Sequence, residues 1–296
     1  MDAKKVGKMI KVLRNRIGYT QNDLAIALGV TDKAVSKWER GISVPDIAII
    51  NQLSIILNCD VDKLLEGDMS FLEKTWQGVL IIDSNDSIEL ETMLYGKPMV
   101  YILLCYFVLA GISKIYIKCP KADKEYIENR LGSGSQYGLS IVLIEDTSIL
   151  ENVNAMVIYN TPFIYGPNLT KYFQRAMCRQ NGISALTVCK GIGENEKAVI
   201  YDKKRILKMN EVGQTYCSNI FFVPAKYVVE FMNTSIEKMI ENNLVYAEPM
   251  GNGMIAYSIN TLEDIFHTAG FIRYFEIMMG MKIYELEEVA RKRELI

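Results

Sequence analysis

The first 67 residues are punctuated by glycines and small capping residues so regularly that only short helices fit between them. Val6, Met9, Ile10, Leu13 and Ile17 recur at three- and four-residue spacing, the buried face of one helix, with Lys8, Lys11, Arg14 and Arg16 on the remainder. Gly18 closes it. Thr20, with Asp23 three residues on, suits the N-cap of a second helix whose inner side is Leu24, Ala25 and Leu28 and whose end is Gly29. Thr31 caps a third, with Val35 and Trp38 inward and Gly41 as terminator. Pro45 and Asp46 suit the first turn of a fourth helix running to Asn58, and Asp60 starts a fifth that stops at Gly67. The spacing predicts an all-α, five-helix unit over residues 1–68.

After Asp68 the rhythm changes. Apolar, β-branched runs predict strands at Val79 to Ile82, Ile115 to Lys118, Leu139 to Ile144, Met156 to Tyr159, Ala185 to Cys189, Ile220 to Val223 and Ile255 to Ser258. Helices are predicted near 97–110, 123–131, 168–180, 226–241 and 261–279. The alternation implies an α/β domain over 69–296, with a mostly parallel sheet covered on both faces. At 296 residues the chain is about twice a typical domain, which agrees with two units. The junction, 67–76, has no Gly/Ser or Pro run, so the units are expected to be closely tethered.

Composition excludes several classes. Half the residues are hydrophobic and 23% charged, which rules out a disordered or low-complexity chain. The six cysteines lie at least 11 positions apart, without the close pairs of a zinc or redox site, and are read as reduced cytosolic thiols. The basic start has no continuous apolar stretch or cleavage site of a signal peptide. The longest apolar run, Met99 to Ile112, has 14 residues, short of the ~20 a membrane span needs, and predicts a buried helix. No membrane partner, metal or cofactor is expected, and the location is expected to be cytoplasmic. The net charge of -2 conceals a cancellation: residues 4–41 hold nine basic and three acidic side chains, a surplus of six, whereas the rest holds 24 and 32, a deficit of eight. A small basic unit rides on a larger acidic one, and the basic unit has the charge for nucleic acid.

Two short helices joined at Gly29 make a helix-turn-helix. The string Thr20-Gln21-x-x-Leu24-Ala25-x-x-Leu28-Gly29-Val30-Thr31, followed by Val35-Ser36-x-Trp38-Glu39-x-Gly41, resembles the phage-repressor (XRE, Cro-like) family over residues 5–66. That resemblance implies a lambda-repressor-like domain whose third helix enters the major groove of double-stranded DNA. With Val35 and Trp38 inward, Asp32, Lys33, Ser36 and Lys37 face outward at the helical spacing needed to reach base edges together. Lys33 and Lys37 suit guanine O6 and N7, and Asp32 suits a cytosine amine or simply favours the helix start. Thr31 joins them at the start of this helix. Gln21 matches the family's phosphate-contacting position, Arg40 is placed for a second phosphate, and Arg14 and Glu39 match a buried ion pair.

Lys97-Pro98-Met99-Val100-Tyr101, the run Leu109-Ala110-Gly111-Ile112 leading to Ile115-Tyr116-Ile117, Tyr165-Gly166, and the closing Thr261-Leu262-Glu263 to Gly270-Phe271-Ile272 helix with Gly280-Met281-Lys282-Ile283 resemble sugar-1-phosphate nucleotidyltransferases of the glucose-1-phosphate thymidylyltransferase type. The resemblance covers about residues 76–284 and implies the nucleotide-diphospho-sugar transferase-like fold. The family's chemistry needs phosphate-cradling donors and metal-holding carboxylates. The family places a G-G-x-G-T-R loop after its first strand; here Asp83-Ser84-Asn85-Asp86-Ser87 stands there, without glycine or arginine. The family lysine before K-P-M falls near Glu89, and its two metal aspartates align with Asn160 and Ser258. No nucleotidyl transfer is expected. His267, the only histidine, is expected to be a packing residue inside the last helix.

A cleft bordered by Ser84, Lys97, Asn160 and Ser258 can keep its shape for a nucleotide, sugar phosphate or sugar-nucleotide effector after the chemistry is lost. The sequence therefore implies a sequence-specific regulator that reads a palindromic operator as a homodimer or higher oligomer, its second domain sensing a metabolite or setting the assembly. The competing expectation is an active sugar-1-phosphate nucleotidyltransferase carrying a DNA-binding head.

Overall fold

The computed structural model describes residues 2–295 except 18, 58, 68–74, 83–91, 160, 161, 167, 189–197, 203, 211–214, 252, 253, 260 and 281. The head contains α1 (Ala3–Arg16), α2 (Gln21–Leu28), α3 (Asp32–Glu39), α4 (Ile47–Leu57) and α5 (Val61–Glu66). The caps explain these boundaries. Asp2 accepts from the Lys4 and Lys5 amides, Thr20 and Asp23 form a reciprocal capping box on α2, and Thr31 accepts from the Ala34 amide. Gly29 takes φ +67°, the left-handed turn that reverses the chain between α2 and α3. Pro45 and Asp46 lie before α4 instead of in its first turn, because the Asp46 carboxylate caps from outside, accepting from the Ala48 amide at 3.1 Å. Gly18 and Asn58 lie outside the described residues.

The predicted inner residues converge: Met9, Ile10, Leu13, Leu24, Val35, Leu53 and Leu57 are fully buried, and Trp38 closes over them. Each such side chain contributes about 1.5–3 kcal/mol on burial, a large share of the stability of so small a unit. The tightest approach is α1 on α3. A Cβ added at Gly7 would lie 2.0 Å from the Trp38 carbonyl oxygen, so only glycine lets these backbones meet.

The body opens with β1 (Trp76–Ile81), the hairpin β2 (Met93–Leu94) and β3 (Lys97–Pro98), α6 (Met99–Ala110), β4 (Lys114–Lys118), α7 (Lys121–Leu131), β5 (Ser140–Leu143), β6 (Asn154–Tyr159), β7 (Pro162–Tyr165) and α8 (Leu169–Met177). It continues through β8 (Ile183–Val188), β9 (Ala198–Asp202), β10 (Arg205–Asn210), β11 (Tyr216–Val223), α9 (Ala225–Asn233), α10 (Ile236–Glu241), β12 (Val245–Met250), β13 (Ile255–Ser258), α11 (Leu262–Met279) and α12 (Leu286–Lys292). Among the described residues nine strands form one sheet in the order β5-β4-β1-β6-β11-β8-β12-β10-β9. The pairs β5/β4, β4/β1, β1/β6 and β8/β12 are parallel; β11 runs antiparallel between β6 and β8, and the β9–β10 hairpin finishes the edge.

Period-two alternation fills both faces. Leu80, Ile115, Ile117, Met156, Ile158 and Phe222 point to the core beneath α6 and α8, while Val79, Tyr116, Ala155, Val157 and Phe221 point to the core beneath α9 and α10. The apolar run from Met99 is a buried helix, as expected, starting after Pro98. No helix among the described residues is long and apolar enough to cross a membrane.

Three further expectations change. Among the described residues the sheet is mixed rather than mostly parallel, with β6/β11, β11/β8, β12/β10 and β10/β9 antiparallel against four parallel pairs, because β11 enters reversed between β6 and β8 and the β9–β10 hairpin finishes the edge. The helix expected at 226–241 is two, α9 and α10, because Thr234 is extended and the Ser235 hydroxyl caps α10 by accepting from the Lys238 amide. His267 does not pack: it stands exposed on α11, its Nε2 4.0 Å from the Glu263 carboxylate.

Head and body touch directly, although the connecting residues 68–74 lie outside those described. Helix α1 packs on α8, and the fully buried Cys178, just past α8, belongs to the apolar core of the head. The Lys171 ammonium sits 5.6 Å from the centre of the Tyr19 ring, a cation–π contact across the junction.

Candidate nucleic-acid interface

Gln21, Asp32, Lys33, Ser36, Lys37 and Arg40 line one surface concavity of 260 Å³. Two elements build it. The αL turn at Gly29 sets α3 across the start of α2, so Gln21 at the first position of α2 reaches the exposed side of α3. Inward anchoring of Val35 and Trp38 turns the intervening residues out, and Asp32, Lys33, Lys37 and Arg40 are exposed.

The side chains are partly preorganised. Arg14 Nε donates to Glu39 Oε1 at 2.5 Å and its second nitrogen to Oε2 at 3.2 Å, while another donates to the Tyr19 carbonyl at 2.5 Å. Gln21 Nε2 donates to the same Glu39 Oε2 at 2.7 Å. The expected Arg14–Glu39 pair and Gln21, the residue expected to contact phosphate, are therefore one network in which Glu39 takes one of the two amide hydrogens of Gln21. Arg40 Nε is steered back along α3 by the Ser36 carbonyl at 3.2 Å. Asp32 accepts from the Lys33 amide at 2.7 Å, so one carboxylate oxygen of this exposed residue serves the helix start. Thr31 is exposed, and its hydroxyl is committed to the Ala34 amide at 3.2 Å. Asp23 is held below the usual carboxylate range by its hydrogen bonds to Thr20, with a smaller contribution from Lys171 of the body. Sequence spacing could not place Lys171 there, because the contact depends on how the domains dock.

In the body, β1 and β6 end in register, Ile81 opposite Tyr159. Adjacent strand ends of this kind are where open α/β sheets gather their ligand sites. Ser84 and Asn160 lie outside the described residues, and Ser258 is the last residue of β13, opposite Pro162. Lys97 is buried in the β2–β3 hairpin, with its ammonium 2.8 Å from Glu276 of α11; Glu276 also accepts from the Ile283 amide at 2.8 Å. The Lys97 charge is already neutralised by this part-buried carboxylate. Among the described residues no group of three or more His, Cys, Asp or Glu side chains is placed to hold a metal ion.

The fold and this surface define two classes at once: a helix-turn-helix head and a body with the nucleotidyltransferase fold. Residues 10–64 match the family described as Helix-turn-helix. The chain belongs to that family through its head, which is 38% identical over 64 residues to the uncharacterized HTH-type transcriptional regulator YazB of Bacillus subtilis, covering 22% of this chain and 93% of that protein. The body is 22% identical over 231 residues to the glucose-1-phosphate thymidylyltransferase of Neisseria meningitidis, covering 66% of this chain and 79% of the enzyme. It superimposes with a TM-score of 0.58 and 13% identity on a Bacillus anthracis protein assigned as a glucose-1-phosphate thymidylyltransferase, over 67% of this chain and 96% of that one, which shows the shared fold.

Proposed function

We propose that this chain is a sequence-specific transcription regulator whose body keeps the fold of a nucleotidyltransferase without its transfer chemistry and serves as an effector-sensing and assembly domain. The observation that carries this reading is the convergence of Gln21, Lys33, Ser36, Lys37 and Arg40 on one face. A groove reader needs phosphate donors at its edge and base donors at its centre, and this face has both. The relatives named above lend the regulator role to the head.

The case against transfer is chemical. Asp83-Ser84-Asn85-Asp86-Ser87 offers two carboxylates where an incoming triphosphate needs amide donors and an arginine, and Asn160 and Ser258 offer no charge to magnesium. Homodimerisation fits the apolar side of α11, where Leu262, Phe266, Tyr274 and Ile277 are exposed on one face. The deciding experiment selects duplexes from a random pool with the full chain and assays the same preparation for pyrophosphate release with magnesium, dTTP and glucose 1-phosphate. An enriched palindrome without pyrophosphate release is expected. No enrichment removes the regulator reading, and pyrophosphate above the blank removes the loss of catalysis.

A further inference from the structure

Between head and body lies a second cavity, well away from the ends of β1 and β6. It measures 430 Å³, within the range of small-molecule sites. Ser54, Ile55 and Cys59 of the head form one wall, and Arg179, Asn181, Asp202, Arg205, Asn243 and Tyr246 of the body form the other. We propose that this cleft binds a small phosphate ester of sugar-phosphate size, held at once by both domains.

The charge and shape of the cleft carry the proposal. Tyr246 holds two guanidinium groups, that of Arg179 4.1 Å and that of Arg205 5.7 Å from its ring centre. Arg179 is further oriented by its donation to the side-chain Oδ1 of Asn181 at 3.3 Å. Two planar guanidiniums held on one tyrosine ring in the lining of one cleft offer the paired donors that suit the tetrahedral oxygens of a phosphate. The wall behind them adds to the field. Glu248 is fully buried, and Arg175 at 2.5 Å and Lys204 at 3.6 Å gather on it, with Arg179 near enough to feel its charge. Around the cleft four cations, Arg175, Arg179, Lys204 and Arg205, face three carboxylates, the buried Glu248, Asp202 of the lining and Asp60, whose charge Arg179 also feels, and an anion in the cleft relieves the remaining positive charge. Asp202, Asn181 and Asn243 at the rim supply the acceptors and amides that suit sugar hydroxyls.

As the effector site of the proposed regulator, the cleft takes its regulatory role from that reading, whereas ligand binding is measurable without DNA. A molecule bridging α4 and the β10–β12 edge favours the docked arrangement of head and body, and any change it makes in DNA affinity is returned by DNA to the ligand.

The test is thermal unfolding and titration calorimetry of the full chain with inorganic phosphate, glucose 1-phosphate and glucose. Glucose 1-phosphate at about 100 times its Kd should raise Tm by roughly 5 °C, phosphate by less, and glucose should leave it unchanged. Arg205 is exposed, so Arg205→Glu should keep the fold, checked by the ligand-free Tm, and should abolish the shift; Arg205→Gln should weaken binding at least tenfold. The Lys33→Ala/Lys37→Ala variant should keep the full shift. The proposal is overturned if neither phosphate nor glucose 1-phosphate raises Tm, if the shift survives Arg205→Glu, or if it disappears in the Lys33→Ala/Lys37→Ala variant, which would put the anion on the DNA face. Loss of DNA selection with the ligand shift intact would strike the regulator reading and leave the site standing.

Discussion

Arg14 and Glu39 form a bidentate ion pair at 2.5 and 3.2 Å that joins α1 to the end of α3, and their side chains are only 9% and 3% exposed. Removing one partner strands the other charge in the interior, whereas replacing both with apolar groups does not. Glu39→Ala should destabilise the head by about 3–5 kcal/mol, and Arg14→Met/Glu39→Leu should recover most of that loss. Amide hydrogen exchange in α1 and α3 reads the effect in the intact chain. Equal loss in the single and double variants would mean that packing, not the buried charge, sets the cost.

Gly7 tests a competition of magnitudes. In an open helix Gly→Ala gains about 1 kcal/mol. Here the new Cβ would meet a backbone oxygen at 2.0 Å, which no side-chain rotation relieves. Sterics should win, and Gly7→Ala should cost about 2 kcal/mol or more, visible as a lower Tm of the head and faster exchange in α1. A variant more stable than the parent would show that α1 and α3 do not approach so closely.

Gly7 also marks where sequence reading stops. The five head helices, their caps at Thr20 and Thr31 and the inner residues from Met9 to Leu57 were legible because local spacing and capping chemistry dictate them. Nothing local says that another helix passes over Gly7. In the body, strands with clean apolar runs were legible. β12 was not, because Glu248 and Pro249 interrupt its pattern, and the burial of Glu248 rests on partners distant in sequence, Arg175 and Lys204 among them. α12 carried a readable signal, Glu287 and Glu288 in its first turn and Arg291 and Lys292 in its last, but it is short and its anchors Leu286 and Ala290 acquire meaning only against α6. Gln21, Asp32, Lys33, Ser36, Lys37 and Arg40 share one concavity because helical spacing and the turn at Gly29 put them on one side, whereas the neighbouring Lys171 arrives only through docking.

Lys37 and Gln21 should separate base reading from phosphate reading. Lys37 is exposed on α3, so Lys37→Ala should weaken the selected duplex by about 1–3 kcal/mol and relax the preference at one position. Gln21→Ala removes the proposed phosphate contact, and should weaken selected and scrambled duplexes alike. Binding isotherms at fixed salt on both duplexes distinguish the two. Identical profiles for the two variants would remove the assigned division of labour.

Cys178 offers a reporter of the docked interface. Burial among head side chains pushes its thiol up to about 11 from 9.0, with the charge and hydrogen bond of Arg16 pulling the other way. The folded state keeps the proton that the unfolded state gives up first, so the contribution is complete below pH 9.0, falls as the pH rises through that interval and is gone above about 11. Two units correspond to roughly 2–3 kcal/mol. The wild type should therefore lose stability between pH 9.0 and about 11 more steeply than Cys178→Ala. At pH 8 iodoacetamide should alkylate Cys178 at least 100-fold more slowly in the folded chain than in urea, because the thiol has no exposed surface. Labelling at the unfolded rate, with the α1 amides still protected, would show that the head folds without resting on α8.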